Sequence, residues 1–92
     1  MEDLLRNKIY DFSNYIESIC DNEEKKKDIK KALTDLPLYK IMLFINFLDK
    51  KQIDNQIDDF VKLFSLQNNQ DNRNKIKEYI DYFIEVKDIL NK

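Results

Sequence analysis

The chain of 92 residues contains no glycine, and its only proline is Pro37. Turns that need a positive φ angle usually use glycine, or else asparagine, because other side chains clash with the backbone there. Hairpins and β-sandwiches depend on such turns, and phosphate-binding loops depend on glycine for close backbone approach. The missing glycine therefore argues against all three kinds of structure.

Apolar residues recur at helical spacing along most of the chain. Near the N-terminus they fall at intervals of three and four residues, at Leu5, Ile9, Phe12, Ile16 and Ile19. Such a stripe lies along one face of an amphipathic helix. The same reasoning predicts helices over residues 2–20, 22–34, 37–48, 52–65 and 73–90. The polar segment 67–72 is predicted to be a loop.

Short polar residues before three of these helices predict their caps, because their side chains can accept hydrogen bonds from free backbone N–H groups. The candidates for the second, third and fifth helices are, in that order, Asp21 or Asn22, Thr34 or Asp35, and Asp71 or Asn72. Pro37 suits the first turn of the third helix, where its missing N–H has no consequence.

Length and composition fit one small globular domain that spans residues 1–92. Hydrophobic residues make up 42% of the chain and charged residues 37%. Disordered chains lack this much isoleucine, leucine and phenylalanine. We therefore predict an all-α fold, a compact bundle of four to five mostly antiparallel helices.

The residues that usually carry catalysis are scarce. There is no histidine, and Cys20 is the only cysteine, so neither an ordinary zinc site nor a histidine-activated nucleophile can form. We predict no catalytic residue, metal, cofactor or small-molecule substrate, and we expect Cys20 to be a small buried hydrophobe. Asp54, Asp58 and Asp59 could together attract a cation, but we interpret them as the solvated face of the fourth helix.

Charge and the N-terminus bear on location. The net charge is −2 and the isoelectric point about 5.1, whereas nucleic-acid-binding domains are usually basic. Met1, Glu2 and Asp3 begin no signal peptide, and no apolar run reaches the roughly 20 residues of a spanning helix. With a single cysteine, we expect a reducing, cytoplasmic environment and no membrane contact.

Abundant lysine, isoleucine and asparagine, which have AT-rich codons, indicate an AT-rich genome, bacterial, phage, viral or protist.

The third predicted helix is the most informative segment. From Leu38 to Leu48 only Lys40 and Asn46 are polar, so the helix is apolar on nearly all sides and should be buried. It could be the central helix of the bundle. Alternatively, one side packs on the bundle and the other meets a second protein, with a polar residue fixing the register. The second interpretation predicts an interface that includes Tyr39, Phe44, Asn46 and Phe47.

These features predict a non-catalytic protein–protein interaction module, such as an inhibitor, adaptor or assembly subunit. Its partner would be another protein or a second copy of the chain, as in a homodimer. Tyr10 and Tyr82 fall off the stripes of their helices, and exposed tyrosines there would add to an interface.

The alternative is a nucleic-acid-associated protein that uses its lysine-rich second helix. Four lysines there could contact phosphates: Lys26, Lys27, Lys30 and Lys31. Acidic residues interrupt this set, and the helix has no arginine to read bases.

Overall fold

The computed structural model describes residues 2–91, so Met1 and Lys92, the ends of the predicted domain, lie outside the described residues. Between them the chain forms five α-helices and no β-strand. The helices are α1 (Glu2–Ser18), α2 (Glu23–Leu33), α3 (Leu38–Phe47), α4 (Ile53–Phe64) and α5 (Gln70–Leu90), and a short 3-10 helix (Lys50–Gln52) leads into α4. The predicted all-α bundle of four to five helices is confirmed.

The N-cap of α2 is one of the two residues predicted from the sequence. The side chain of Asn22 accepts a hydrogen bond from the N–H of Lys25 at 3.1 Å, which is the usual N-cap interaction. Asp21, the other candidate, instead accepts a hydrogen bond from the side-chain amide of Gln67.

The caps predicted for α3 and α5 are wrong. The residue before α3 is Pro37, and no side chain caps that helix. The hydroxyl of Thr34 donates to the carbonyl of Lys30 and so belongs to the end of α2. The start of α5 lies three residues earlier than predicted, because Asn69 accepts a hydrogen bond from the N–H of Asn72 at 2.9 Å. The predicted loop at 67–72 is correspondingly shorter.

Helix α5 contacts α1, α3 and α4, while α2 packs against α1 and α4. Phe12 of α1 is fully buried at the centre of the core. Its ring centroid lies 5.2–6.4 Å from those of Phe44, Phe60, Tyr79 and Phe83, at the separations that aromatic pairs prefer. The core therefore forms around Phe12 and α5, and α3 lies at the side of the bundle.

The loop after α1 pairs with the loop after α4. Cys20 and Leu66 form an isolated antiparallel bridge, flanked by hydrogen bonds from Asp21 N to Ser65 O (3.0 Å) and from Gln67 N to Ile19 O (2.7 Å). Cys20 is buried, and its thiol donates to the carbonyl of Phe64 at 3.0 Å. As predicted, the cysteine is part of the core.

Candidate protein interface

Helix α3 has one face in the core and the opposite face in solvent. Ile41 and Ile45 are fully buried on the side that packs against α5. On the other side, Tyr39, Leu43 and Phe47 are 60–65% exposed. Residues four positions apart are neighbours on a helix surface, so these three side chains form one continuous apolar row, which we call the α3 stripe.

The structure separates the four residues of the predicted interface. Tyr39 and Phe47 belong to the α3 stripe, and Asn46 is exposed beside it. Phe44 is half-buried, and its ring centroid lies within 6.4 Å of those of Phe12, Phe60 and Phe83. Leu43, the most exposed member of the stripe, was missed by the sequence analysis. The four-residue spacing from Tyr39 to Phe47 shows that Leu43 belongs to the exposed row only when Ile41 and Ile45 are known to face α5.

A shallow apolar groove adjoins α3. It has a volume of about 400 Å³ and is lined by Glu2, Leu5, Leu38, Met42 and Leu90. The groove brings the start of α1 and the end of α5 beside the start of α3. It therefore extends the exposed apolar surface beyond α3 itself.

Two polar side chains fix the C-terminal end of α3, where carbonyl groups lack partners within the helix. The amide of Gln56, buried in α4, donates to the carbonyl of Phe47 at 2.8 Å and accepts from the N–H of Asp49 at 3.1 Å. The ammonium of Lys87 donates to the carbonyl of Leu48 at 2.6 Å. Lys87 follows Phe83 by four residues and so falls on the apolar face of α5, and this contact gives its ammonium a partner there. The backbone that carries Phe47 is thus held from two other helices.

Charged side chains flank both ends of α3. At its start, the guanidinium of Arg6 donates to the carbonyl of Leu36 and pairs with Glu2 at 3.2 Å, and Lys40 is exposed in the first turn. Just beyond its end lie the exposed Lys50 and Lys51, beside the carboxylate of Asp49 that caps the 3-10 helix.

The lysines of α2 are only partly free to meet a phosphate. Lys26 pairs with Glu23 at 3.1 Å, and Lys30 pairs with Glu17 of α1 at 3.5 Å. The hydrogen bond and the charge of Glu23 raise the pKa of Lys26 above its ordinary value. Lys27 and Lys31 are exposed. Two of the four lysines predicted to contact phosphates therefore already pair with carboxylates.

The remaining candidate residues have structural contacts. Asp58 accepts a hydrogen bond from Arg73 at 2.7 Å and so links α4 to α5. Tyr10 and Tyr82 are half-buried: the hydroxyl of Tyr10 donates to Asp35 at 3.4 Å, and the ammonium of Lys8 lies 4.9 Å from the ring of Tyr82. Across residues 2–91 no group of three or more carboxylates and thiols is placed to hold a metal ion.

None of the helices described is both long and apolar enough to cross a membrane. Comparisons of the chain with protein-family models, with curated proteins and with solved structures find no match.

Proposed function

We propose that this protein is a non-catalytic protein–protein interaction module that binds its partner through the α3 stripe. One observation carries the proposal. Within residues 2–91, eight large apolar side chains are more than 40% exposed, and four of them lie on the short helix α3: Leu38, Tyr39, Leu43 and Phe47. Contiguous apolar surface of this kind marks interaction sites on soluble proteins.

The chemistry of the α3 stripe suits binding. Two of its three members are aromatic, and aromatic side chains are enriched at protein interfaces and among the residues that dominate binding energy. Full burial of each such side chain is worth about 1.5–3 kcal/mol. Because Gln56 and Lys87 hold the end of α3, the helix pays little ordering entropy when it binds.

The interaction proposal has more support than nucleic-acid binding by α2. Lys26 and Lys30 are already paired with carboxylates, so a phosphate backbone would have to displace them. Binding to nucleic acid would also weaken steeply with added salt, whereas binding through an apolar stripe would not.

The proposal is tested by affinity capture with a matched pair of variants. Leu43 on α3 is 65% exposed and Leu63 on α4 is 59% exposed, so Leu43→Glu and Leu63→Glu introduce the same charge at equally accessible sites. Tagged wild-type protein and Leu63→Glu should retain the same protein from lysate of the source cells, or an untagged copy of the chain, and Leu43→Glu should lose it. All three should have the same helical circular dichroism. Identical capture by all three would contradict the proposal.

A further inference from the structure

Three exposed lysines lie beside the α3 stripe or just beyond it. Lys40 is three residues before Leu43, and side chains at this spacing are neighbours on a helix surface. Lys50 and Lys51 belong to the 3-10 helix and follow Phe47, the last member of the stripe, by three and four residues. The apolar row therefore has one positive charge near its start and two beyond its end.

Carboxylates at the flanks of α3 are already engaged. Between residues 38 and 52 the only one is Asp49, whose oxygen accepts a hydrogen bond from the N–H of Lys51 at 2.9 Å. Glu2, which lines the groove beside α3, pairs with Arg6 at 3.2 Å. Within residues 2–91 none of the three lysines forms an ion pair. Their ammonium groups are therefore available to the carboxylates of a partner.

The local charge at α3 is opposite to that of the whole chain. The net charge of the protein is −2, but residues 38–52 contain three lysines and one aspartate. The ammonium of Lys87 also lies at the end of α3, 2.6 Å from the carbonyl of Leu48. Complementary charges across an interface select among partners, and like charges placed opposite each other are unfavourable. The surroundings of the stripe therefore favour an acidic partner over a neutral or basic one.

We propose that the partner of the α3 stripe is an acidic protein segment. Its apolar side chains cover the stripe, and its carboxylates meet Lys40 near the start and Lys50 and Lys51 beyond the end. The inference rests on the proposed function and names the chemistry of the partner. The stripe extends over eight residues of helix, about 12 Å, so the segment carries acidic residues on both sides of an apolar stretch of that length.

A single-stranded nucleic acid is the competing ligand, since its bases stack on aromatic rings while its phosphates meet lysines. The centre of the stripe does not suit such a ligand. Leu43 is 65% exposed, more than either Tyr39 or Phe47, and an aliphatic side chain offers no ring for stacking. An apolar side chain of a protein segment would cover Leu43 as well as its aromatic neighbours.

Peptide display on the purified chain tests the chemistry of the partner. A library of random peptides of about 16 residues, long enough as helices to pass the whole stripe, is selected on wild-type protein and counter-selected on Leu43→Glu. Peptides that need Leu43 should combine apolar residues with an excess of aspartate and glutamate. Leu43-dependent peptides that are neutral or basic, or a selection that yields none, would overturn the inference.

Charge reversal tests the part that the three lysines play in binding a selected peptide. The test variant combines Lys40→Glu, Lys50→Glu and Lys51→Glu. The control variant reverses three exposed lysines on other helices: Lys27→Glu, Lys31→Glu and Lys77→Glu. Fluorescence anisotropy should show that the test variant raises the dissociation constant at least about 10-fold. The control should change it by no more than about twofold in physiological salt, where distant charges are screened.

Both triple variants should keep the helical circular dichroism of the wild type, since all six positions are exposed. Equal effects of the two variants on peptide binding would mean that only the net charge of the chain matters, and would contradict the proposed contacts. Oligodeoxythymidine is the nucleic-acid probe. If it binds more tightly than any selected peptide and is lost with the test variant, the surface binds nucleic acid and the inference is wrong.

This inference and the proposed function fail in different ways. If Leu43-dependent peptides are not acidic, or bind the test variant as tightly as the wild type, the acidic partner is wrong and the α3 stripe remains a protein-binding surface. If capture of a partner by the full chain does not depend on Leu43, the proposed function is wrong as well.

Discussion

At the scale of single residues, the chain must turn without glycine. Within residues 2–91 only Asp35 and Ser65 adopt a positive φ, of 55° and 53°. Ser65 ends α4 in the left-handed conformation, with its N–H bonded to the carbonyl of Val61. Its own carbonyl accepts the hydrogen bond from Asp21. Because both backbone groups are engaged, Ser65 keeps a conformation that costs a non-glycine residue about 1–2 kcal/mol.

Substitutions at Ser65 should show this cost. We expect Ser65→Gly to raise the free energy of unfolding by up to about 1 kcal/mol, since the steric relief exceeds the added chain entropy of glycine. Ser65→Val should lower it by more than 1 kcal/mol because a β-branched residue fits poorly at positive φ. Urea unfolding measures both.

A second serine provides the control for Ser65. Ser18 is the last residue of α1, where helical φ angles need no glycine, so Ser18→Gly should destabilise by about 0.5–1 kcal/mol. If glycine had the same effect at Ser18 and Ser65, the proposed strain at Ser65 would be absent.

At the scale of elements, the periodicity of apolar residues predicted most helix ends to within two residues. It failed where the periodicity stops. The first turn of α5 consists of Gln70 and its polar neighbours, and a run of polar residues is equally compatible with a solvated helix and with a loop. Only the hydrogen bond of the Asn69 cap shows that this segment is helical.

Helix α3 shows a different limit of sequence analysis. Its residues are apolar on nearly every side, so no periodicity indicates which side is buried. Packing against α5 decides that Ile41 is covered, Phe44 half-covered and Leu43 exposed. The sequence therefore predicted α3 as the candidate interface but identified only part of its exposed apolar surface.

Gln56 should prove important for α3 although it belongs to α4. We expect Gln56→Leu to lower the free energy of unfolding by about 1–3 kcal/mol, because it leaves the Phe47 carbonyl and the Asp49 N–H without their partner. Hydrogen exchange of the Asp49 amide should become faster. The exposed neighbour Asn55 is the control, and Asn55→Leu should change stability by no more than about 0.5 kcal/mol. Equal effects at the two positions would contradict this role.

At the scale of the whole molecule, one aromatic cluster joins four of the five described helices. Phe12 of α1 meets Phe44 of α3, Phe60 of α4, and Tyr79 and Phe83 of α5. A chain of this size has a free energy of unfolding of only about 5–14 kcal/mol, so a large share of it depends on this centre. The helical spacing of apolar residues in α1 predicted that Phe12 faces the core, but it could not predict which residues of other helices Phe12 contacts.

The contrast between two phenylalanines tests this distribution of stability. Phe12→Ala should cost about 3–5 kcal/mol through lost burial and a cavity. Phe47→Ala, at a site 60% exposed, should change monomer stability by no more than about 0.5 kcal/mol. Thermal and urea unfolding at low protein concentration measure both as monomers. A comparable loss from Phe47→Ala would place that residue in the core and remove it from the proposed interface.

The bridge between Cys20 and Leu66 bears on the order in which the chain folds. It joins positions 46 residues apart, half the length of the chain. Helices form from local contacts within about a microsecond, whereas closing so long a loop costs conformational entropy that earlier contacts must first offset. Docking of α2 on α4 would bring the two loops together, and we therefore expect the bridge to close after that step. The amide of Gln67, which bonds across it, should then gain protection from hydrogen exchange later in folding than the amides inside the helices.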